Sequence, residues 1–486
     1  MKPALARPIA LFLTMLISVP QSFATCGGGG GGGRGGISPS GADSQQVFNV
    51  PWKLRTPDAP PVTAGLVLYW FPASKEELAN SSLRVSRQLS LYATQCVTME
   101  VADVMSAPGK KFAADAKLPI AVIATPDGTL VSKIDNSDGK LRVEQVEKMV
   151  ESELKNRESN LEQQLKQAKE RAKSGDNISA IPLYRSVYDQ KCLFPKKAKE
   201  AAKELKKLGV NDVADIVVPL SPIFDKAVSA KIDQAMLKGL AAEEKGHYVQ
   251  ARALYQQAHE LDPADPTPLR YLGEVYRHHT GEWDKARTTF EAILRMPADP
   301  MSRAVALHGL GKMTIHEGEF KKGLKLMEDS VKEYPLALAY RNLAVYWNSE
   351  GDQKQADSYT RQALALDPTD PYNLIFAAAF MAGTGHGDEA LAIAKKNEAF
   401  LPASYNLAAI YAQAGQRDKA LSLLKRHFFE YERYQEVRTK EMMEARVDAV
   451  FASLRTDPEF LALTSGADGR LPMPMSPKAA ERPAAK

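Results

Sequence analysis

From Gly65 the pattern of apolar and polar positions changes period several times. Leu66 to Phe71 is an unbroken apolar run, the signature of a strand covered on both faces. Lys75 to Thr94 then carries apolar residues at helical spacing, at Leu78, Leu83, Leu89 and Tyr92. Cys96 to Val104 alternates, placing Val97, Met99 and Val101 on one face of a strand. Ala107 to Ala116 reads as a short helix. Two further apolar runs flank Pro126-Asp127-Gly128, a hairpin signal because these residues supply the turn geometry. Val143, Val146 and Val150 then open another helix. The predicted order is strand, helix, strand, helix, hairpin, helix.

After about residue 161 the pattern becomes helical and repetitive. A glycine followed five residues on by alanine, once by glycine, recurs at Gly175/Ala180, Gly246/Ala251, Gly281/Ala286, Gly318/Gly323, Gly351/Ala356, Gly385/Ala390 and Gly415/Ala420. Small or aromatic pairs precede most of these glycines, such as Gly239 with Ala242 and Ala408 with Tyr411, and a proline often follows each unit. Small residues let two helices approach, glycine closes the turn and proline stops the second helix. From Gly246 the period is that of tetratricopeptide (TPR) repeats, which this part of the chain resembles. The unit around Gly281 carries an extra residue between Tyr276 and the turn.

The order of elements before the repeats resembles the thioredoxin fold, with Leu118-Pro119 entering a strand, the PDG hairpin and LRVEQVEKMVESEL closing the domain. The resemblance implies a cis peptide before Pro119. It also places Ser74 and Glu77 where the family keeps its two catalytic cysteines. Thiol–disulfide exchange needs a thiolate and a resolving thiol, and neither residue supplies one. Cys96 reads as a buried structural thiol. The expected fold class is therefore multidomain: an α/β thioredoxin-like domain without its cysteine pair, followed by an all-α TPR solenoid.

Composition narrows the function further. A net charge of +4 over 486 residues gives no basis for nucleic-acid binding, and three cysteines exclude a disulfide-dense scaffold. Lys2 and Arg7 followed by the apolar stretch Ile9–Val19 read as an export signal. Cys26 then precedes a glycine-rich run, an arrangement that resembles a bacterial lipoprotein precursor. Acylation and membrane anchoring at Cys26 are one expectation, and simple secretion is the other. The expected divisions are a signal peptide over 1–25, a tether and linker over 26–60 and the thioredoxin-like domain over 61–155. A helical linker with a first repeat-like hairpin (156–212), a connector (213–231), the TPR array (232–432), capping helices (433–465) and a disordered tail (466–486) follow.

The resemblance to TPR proteins implies a groove lined by the first helix of each hairpin. Repeat positions put Arg270, Arg277, His308, Lys312, Arg341, Asn342 and Asn406 there. Guanidinium and amide donors in that pattern suit an acidic protein or peptide segment. His316 in HEGEF lacks the second histidine of a zinc-protease helix, and the adjacent His278 and His279 cannot share a helix face, so they read as surface residues. No metal, cofactor or catalytic residue is expected. The chain reads as an exported, non-enzymatic scaffold or assembly factor, self-association included. The alternative is redox chemistry through Cys96, or through a disulfide between Cys96 and Cys192, on clients held by the repeats.

Overall fold

The computed structural model describes residues 47–467, except residues 58, 135, 137–138, 367–369 and 433–434. The export signal, Cys26, the glycine-rich run and nearly all of the expected tail lie outside the described residues.

A five-stranded mixed sheet has the order β1-β3-β2-β4-β5. Its strands are β1 (Lys53–Leu54), β2 (Leu66–Phe71), β3 (Val97–Val101), β4 (Ile120–Ala124) and β5 (Leu130–Ile134). β2 and β3 run parallel, while β4 is antiparallel to both β2 and β5. The expected helix over 75–94 is two helices, α1 (Lys75–Asn80) and α2 (Arg87–Thr94), separated by a short 3-10 turn. Ser81 and Ser86 cause the break, because each side chain accepts a hydrogen bond from a backbone N–H and so caps a new start. α3 (Ala107–Phe112) follows, and the Leu118–Pro119 peptide is cis.

Two expected boundaries fail. The helix that closes the sheet domain does not end near residue 155: α4 (Val143–Lys173) is continuous through it and supplies one helix of the first hairpin. Residues 47–57, read as linker, are built into the structure: Val47, Phe48, Val50 and Trp52 are buried, and β1 pairs with β3. Short length hides that strand from a periodicity reading.

The helical part begins with α4, α5 (Asn177–Tyr188) and α6 (Pro195–Lys207), followed by a stretch without helix up to Asp225. Among the described residues six further hairpins follow: α7 (Lys226–Glu244) with α8 (Tyr248–Leu261), α9 (Pro266–Glu274) with α10 (Trp283–Arg295), and α11 (Pro300–His316) with α12 (Phe320–Glu333). Then come α13 (Ala337–Ser349) with α14 (Gln353–Leu366), α15 (Pro371–Gly383) with α16 (Gly387–Lys396), and α17 (Ser404–Gln413) with α18 (Arg417–Arg426). All seven turn glycines named above have φ between 67° and 93°, the left-handed conformation that lets a helix end and reverse. Asp265, Asp299 and Asp370 each cap the next first helix, with proline at its first position. Phe290 shows why small residues are needed: its ring lies against Gly273 and Gly309, leaving no room for a Cβ at either. The extra residue in the α9–α10 hairpin becomes a π-turn, Val275–His279.

Beyond α18 the chain forms a second π-turn (His427–Tyr431), α19 (Gln435–Val447), a 3-10 turn (Ala449–Leu454) and α20 (Pro458–Leu463). The 3-10 turn packs on α17 and α20 on α18. α19 does something else, described below.

Candidate functional site

The first helices pack side by side, α9 on α11, α13 on α15 and α15 on α17. They form the face predicted to be an open groove. The seven predicted groove residues do sit on these helices, yet none is more than 8% exposed. The groove is filled by the chain itself.

Two segments fill it. Val47–Trp52 runs between the sheet domain and the array. Its backbone bonds to the sheet domain through Val50 N–H to Arg84 O and Ser86 N–H to Phe48 O, each at 2.9 Å. On its other side the Val47 carbonyl accepts from Arg270 Nη2 and the Tyr271 hydroxyl, both at 3.4 Å, and the Trp52 carbonyl accepts from the Tyr334 hydroxyl at 3.3 Å. The second segment is α19, which folds back across the array instead of capping its end. Glu444 meets Lys312 at 3.3 Å and also contacts His316, while Lys440 lies 3.2 Å from the centre of the Trp283 ring.

The remaining predicted groove residues have internal partners. Arg277 pairs with Glu274 on its own helical stretch at 2.6 Å. Arg341 donates to Asn373 Oδ1 at 2.7 Å and lies over the Tyr372 ring, and Asn342 bonds the His308 ring at 2.6 Å. Asn406 lines a small cavity with Arg341, Asn348, Tyr405 and Asp448. Burial dominates the electrostatics here. Desolvation pushes His308 well below the usual histidine range and His316 to about 3, so both rings are neutral near pH 7. Burial would lower Lys312 too, but Glu444 and Tyr346 outweigh it, and the ammonium is held above its usual value. Desolvation raises Asp448 to about 6.

His278 and His279 are not surface residues. Their rings meet edge to face with centroids 4.9 Å apart, and both are buried. His279 stacks on Tyr248 at 3.9 Å and lies 3.3 Å from Glu243 Oε1. His278 faces the C-terminal segment, where Glu432 and Glu441 bring carboxylate oxygens to within 4.8 Å of one of its ring nitrogens and of each other. Glu441 Oε2 is in turn 2.7 Å from His427 Nε2. No spacing signal reveals this cluster, because its members are contributed by two π-turns and a helix far apart in sequence.

In the sheet domain, Ser74 is the N-cap of α1, its Oγ accepting from Glu77 N–H at 3.1 Å. Cys96 is half-buried and disulfide-bonded to Cys192, with Cα atoms 5.9 Å apart, which corrects its reading as a free buried thiol. Of the two forms of the redox alternative, the free Cys96 thiol is thereby removed and the Cys96–Cys192 disulfide is the one present.

The profile of the tetratricopeptide repeat family matches residues 242–310. This chain carries TPR repeats. Protein CTR9 homolog of Arabidopsis thaliana is 28% identical over 138 residues, covering 28% of this chain and 13% of that relative. Among solved structures, the thermophilic TPR protein TTC0263 of Thermus thermophilus is 21% identical at a TM-score of 0.30, over 40% of this chain and 98% of its own. The pilF structure of Pseudomonas aeruginosa is 17% identical at 0.30, over 44% and 97%. TPR arrays generally serve protein–protein interaction, since stacked hairpins present long continuous surfaces and no built-in chemistry.

Proposed function

We propose that the protein is an exported interaction scaffold whose TPR groove exchanges its own α19 for an acidic segment of a partner. The observation that carries this reading is Glu444, seated between Lys312 and His316 in the groove. An internal carboxylate there mimics what a partner would bring, and it keeps the site covered until the partner arrives. The strap Val47–Trp52 supports the same reading, because its carbonyls receive donors from Arg270, Tyr271 and Tyr334 as an extended peptide would.

The sheet domain is read as thioredoxin-like on its strand order and cis Pro119, with a docking role in place of redox catalysis. Export is supported by the Cys96–Cys192 disulfide, a bond that persists in oxidising compartments. Anchoring through an acylated Cys26 and self-association belong to the same proposal. Among the described residues no helix is long and apolar enough to cross a membrane, so anchoring would fall to residues before Val47.

The test is cross-linked capture from native envelopes with wild type, Glu444→Lys, Lys312→Glu and the charge-swapped double variant. Glu444→Lys should capture more of one partner, because α19 is repelled from the groove. Lys312→Glu should lose that partner, and the double variant, which restores the pair, should reseat α19 while the partner stays lost. One partner list common to all four proteins, each with unchanged circular dichroism, would refute groove binding.

A further inference from the structure

The cluster around His278 has the composition of a metal site, and His278 itself lacks the hydrogen bonds of a structural polar network. His278, His427, Glu432 and Glu441 are all buried. Neither ring nitrogen of His278 has a hydrogen-bond partner among the described residues, and His427 Nδ1 has none either. A buried polar ring left without a partner is uncommon and calls for a missing group. Two carboxylates face it across a space no wider than 4.8 Å between ligand atoms. Two buried acids beside an imidazole with both nitrogens unpartnered form an arrangement that a divalent cation resolves at once.

We infer that His278, Glu432 and Glu441 bind one divalent transition-metal ion of the zinc type, with His427 orienting Glu441. The donor set decides the class of ion. An imidazole nitrogen disfavours calcium and magnesium, which take oxygen ligands, and carboxylates without thiolates disfavour copper(I). Zinc accepts nitrogen and carboxylate oxygen at about 2.0–2.2 Å, which places tetrahedral ligands about 3.3–3.5 Å apart. The side chains therefore need to close in by no more than about 1.5 Å when the ion enters. His427 holds Glu441 through Oε2, leaving Oε1 as the metal ligand, and an outer-shell bond of this kind fixes ligand orientation. Backbone geometry supports the assignment. His278 and His427 both lie on π-turns, and Glu432 N–H closes the second turn by bonding the His427 carbonyl at 2.9 Å. Such turns re-aim side chains and concentrate at functional sites. The ion would join the second hairpin of the array to the segment that folds back over it.

The decisive experiment is zinc binding by the full chain after chelation and dialysis. Competition against a fluorescent zinc indicator and metal analysis by plasma mass spectrometry should give one tightly held zinc per chain. Cobalt(II) should give the visible bands of a four-coordinate nitrogen–oxygen site. Glu441→Gln, Glu432→Gln and His278→Ala should each weaken zinc at least about 100-fold, while His386→Ala, on an exposed turn, should not. Wild type that takes up no zinc beyond the indicator's competition overturns the inference whatever the variants do. Full retention by the correctly folded Glu441→Gln variant overturns it equally, since the zinc would then be held elsewhere.

Discussion

Removing Arg87 tests how the sheet domain is fastened to the repeats. Its guanidinium sits on α2 and reaches the start of the array: Nε donates to Asp265 Oδ2 at 2.8 Å, Nη2 bonds Asp262, and Nη1 donates to the Ile223 carbonyl at 3.0 Å and to Ser229 Oγ at 2.9 Å. Both aspartates are essentially inaccessible to solvent. Arg87→Ala leaves two carboxylates buried without their countercharge, and breaking such a pair costs about 3–5 kcal/mol. The loss should depend on pH. Burial already raises Asp265 against the pull of Arg87, so removing the guanidinium raises it further. A carboxyl raised in the folded state penalises folding above its folded pKa, and the penalty vanishes below the unfolded value of about 3.9. Urea unfolding followed by circular dichroism should therefore show the full loss at pH 7.5 and a clearly smaller one near pH 4. Arg87→Lys should lose most of the contribution, because a single ammonium cannot serve four acceptors arranged around a planar fork. A loss below about 1 kcal/mol, or one equal at both pH values, would refute the argument.

Three further outcomes are expected. Cys192→Ser opens a loop spanning 96 residues and should lower stability by roughly 2–5 kcal/mol, an effect that a reductant reproduces in wild type and leaves unchanged in the variant. Gly309→Ala drives a methyl group into the Phe290 ring and should cost about 1–3 kcal/mol by urea titration, with Phe290→Leu on the same background recovering part of it. Melting temperature should fall between pH 7 and pH 5. The folded values of His308 and His316 lie below the unfolded value of about 6.5, so the unfolded chain takes up protons first and stability drops as pH falls toward them. Asp448, raised to about 6, works in the opposite direction over the same range. His308→Gln should flatten the descent, and an unchanged slope would show that this ring titrates normally.

The hairpins were legible because their signals are local. Glycine five residues before alanine fixes both a left-handed turn and a close helix contact, and the extra residue near Tyr276 became the π-turn. The open groove was misread because what covers it lies at the two ends of the chain, where Val47–Trp52 and α19 carry no repeat period. One clue was present in the sequence. PMSRAVALHGLGKMTIH is small or apolar nearly all round, and a helix of that kind is covered on every side. The histidine–carboxylate cluster was beyond reach, since it joins residues that only the folded array brings together, while the Cys96–Cys192 pairing was raised only within the redox alternative.

The continuity of α4 changes what the sheet domain is mechanically. Its 31 residues make a rod about 46 Å long, rooted under the sheet at Val146 and Val150 and ending inside the first hairpin at Leu165 and Ala168. The disulfide is a second brace from the start of the inner strand β3 to the end of that hairpin, and Arg87 is a third to the array. Three braces from one small domain to different parts of the helical body make a truss. A force applied to the sheet domain is thereby transmitted to the repeats and not absorbed by a hinge.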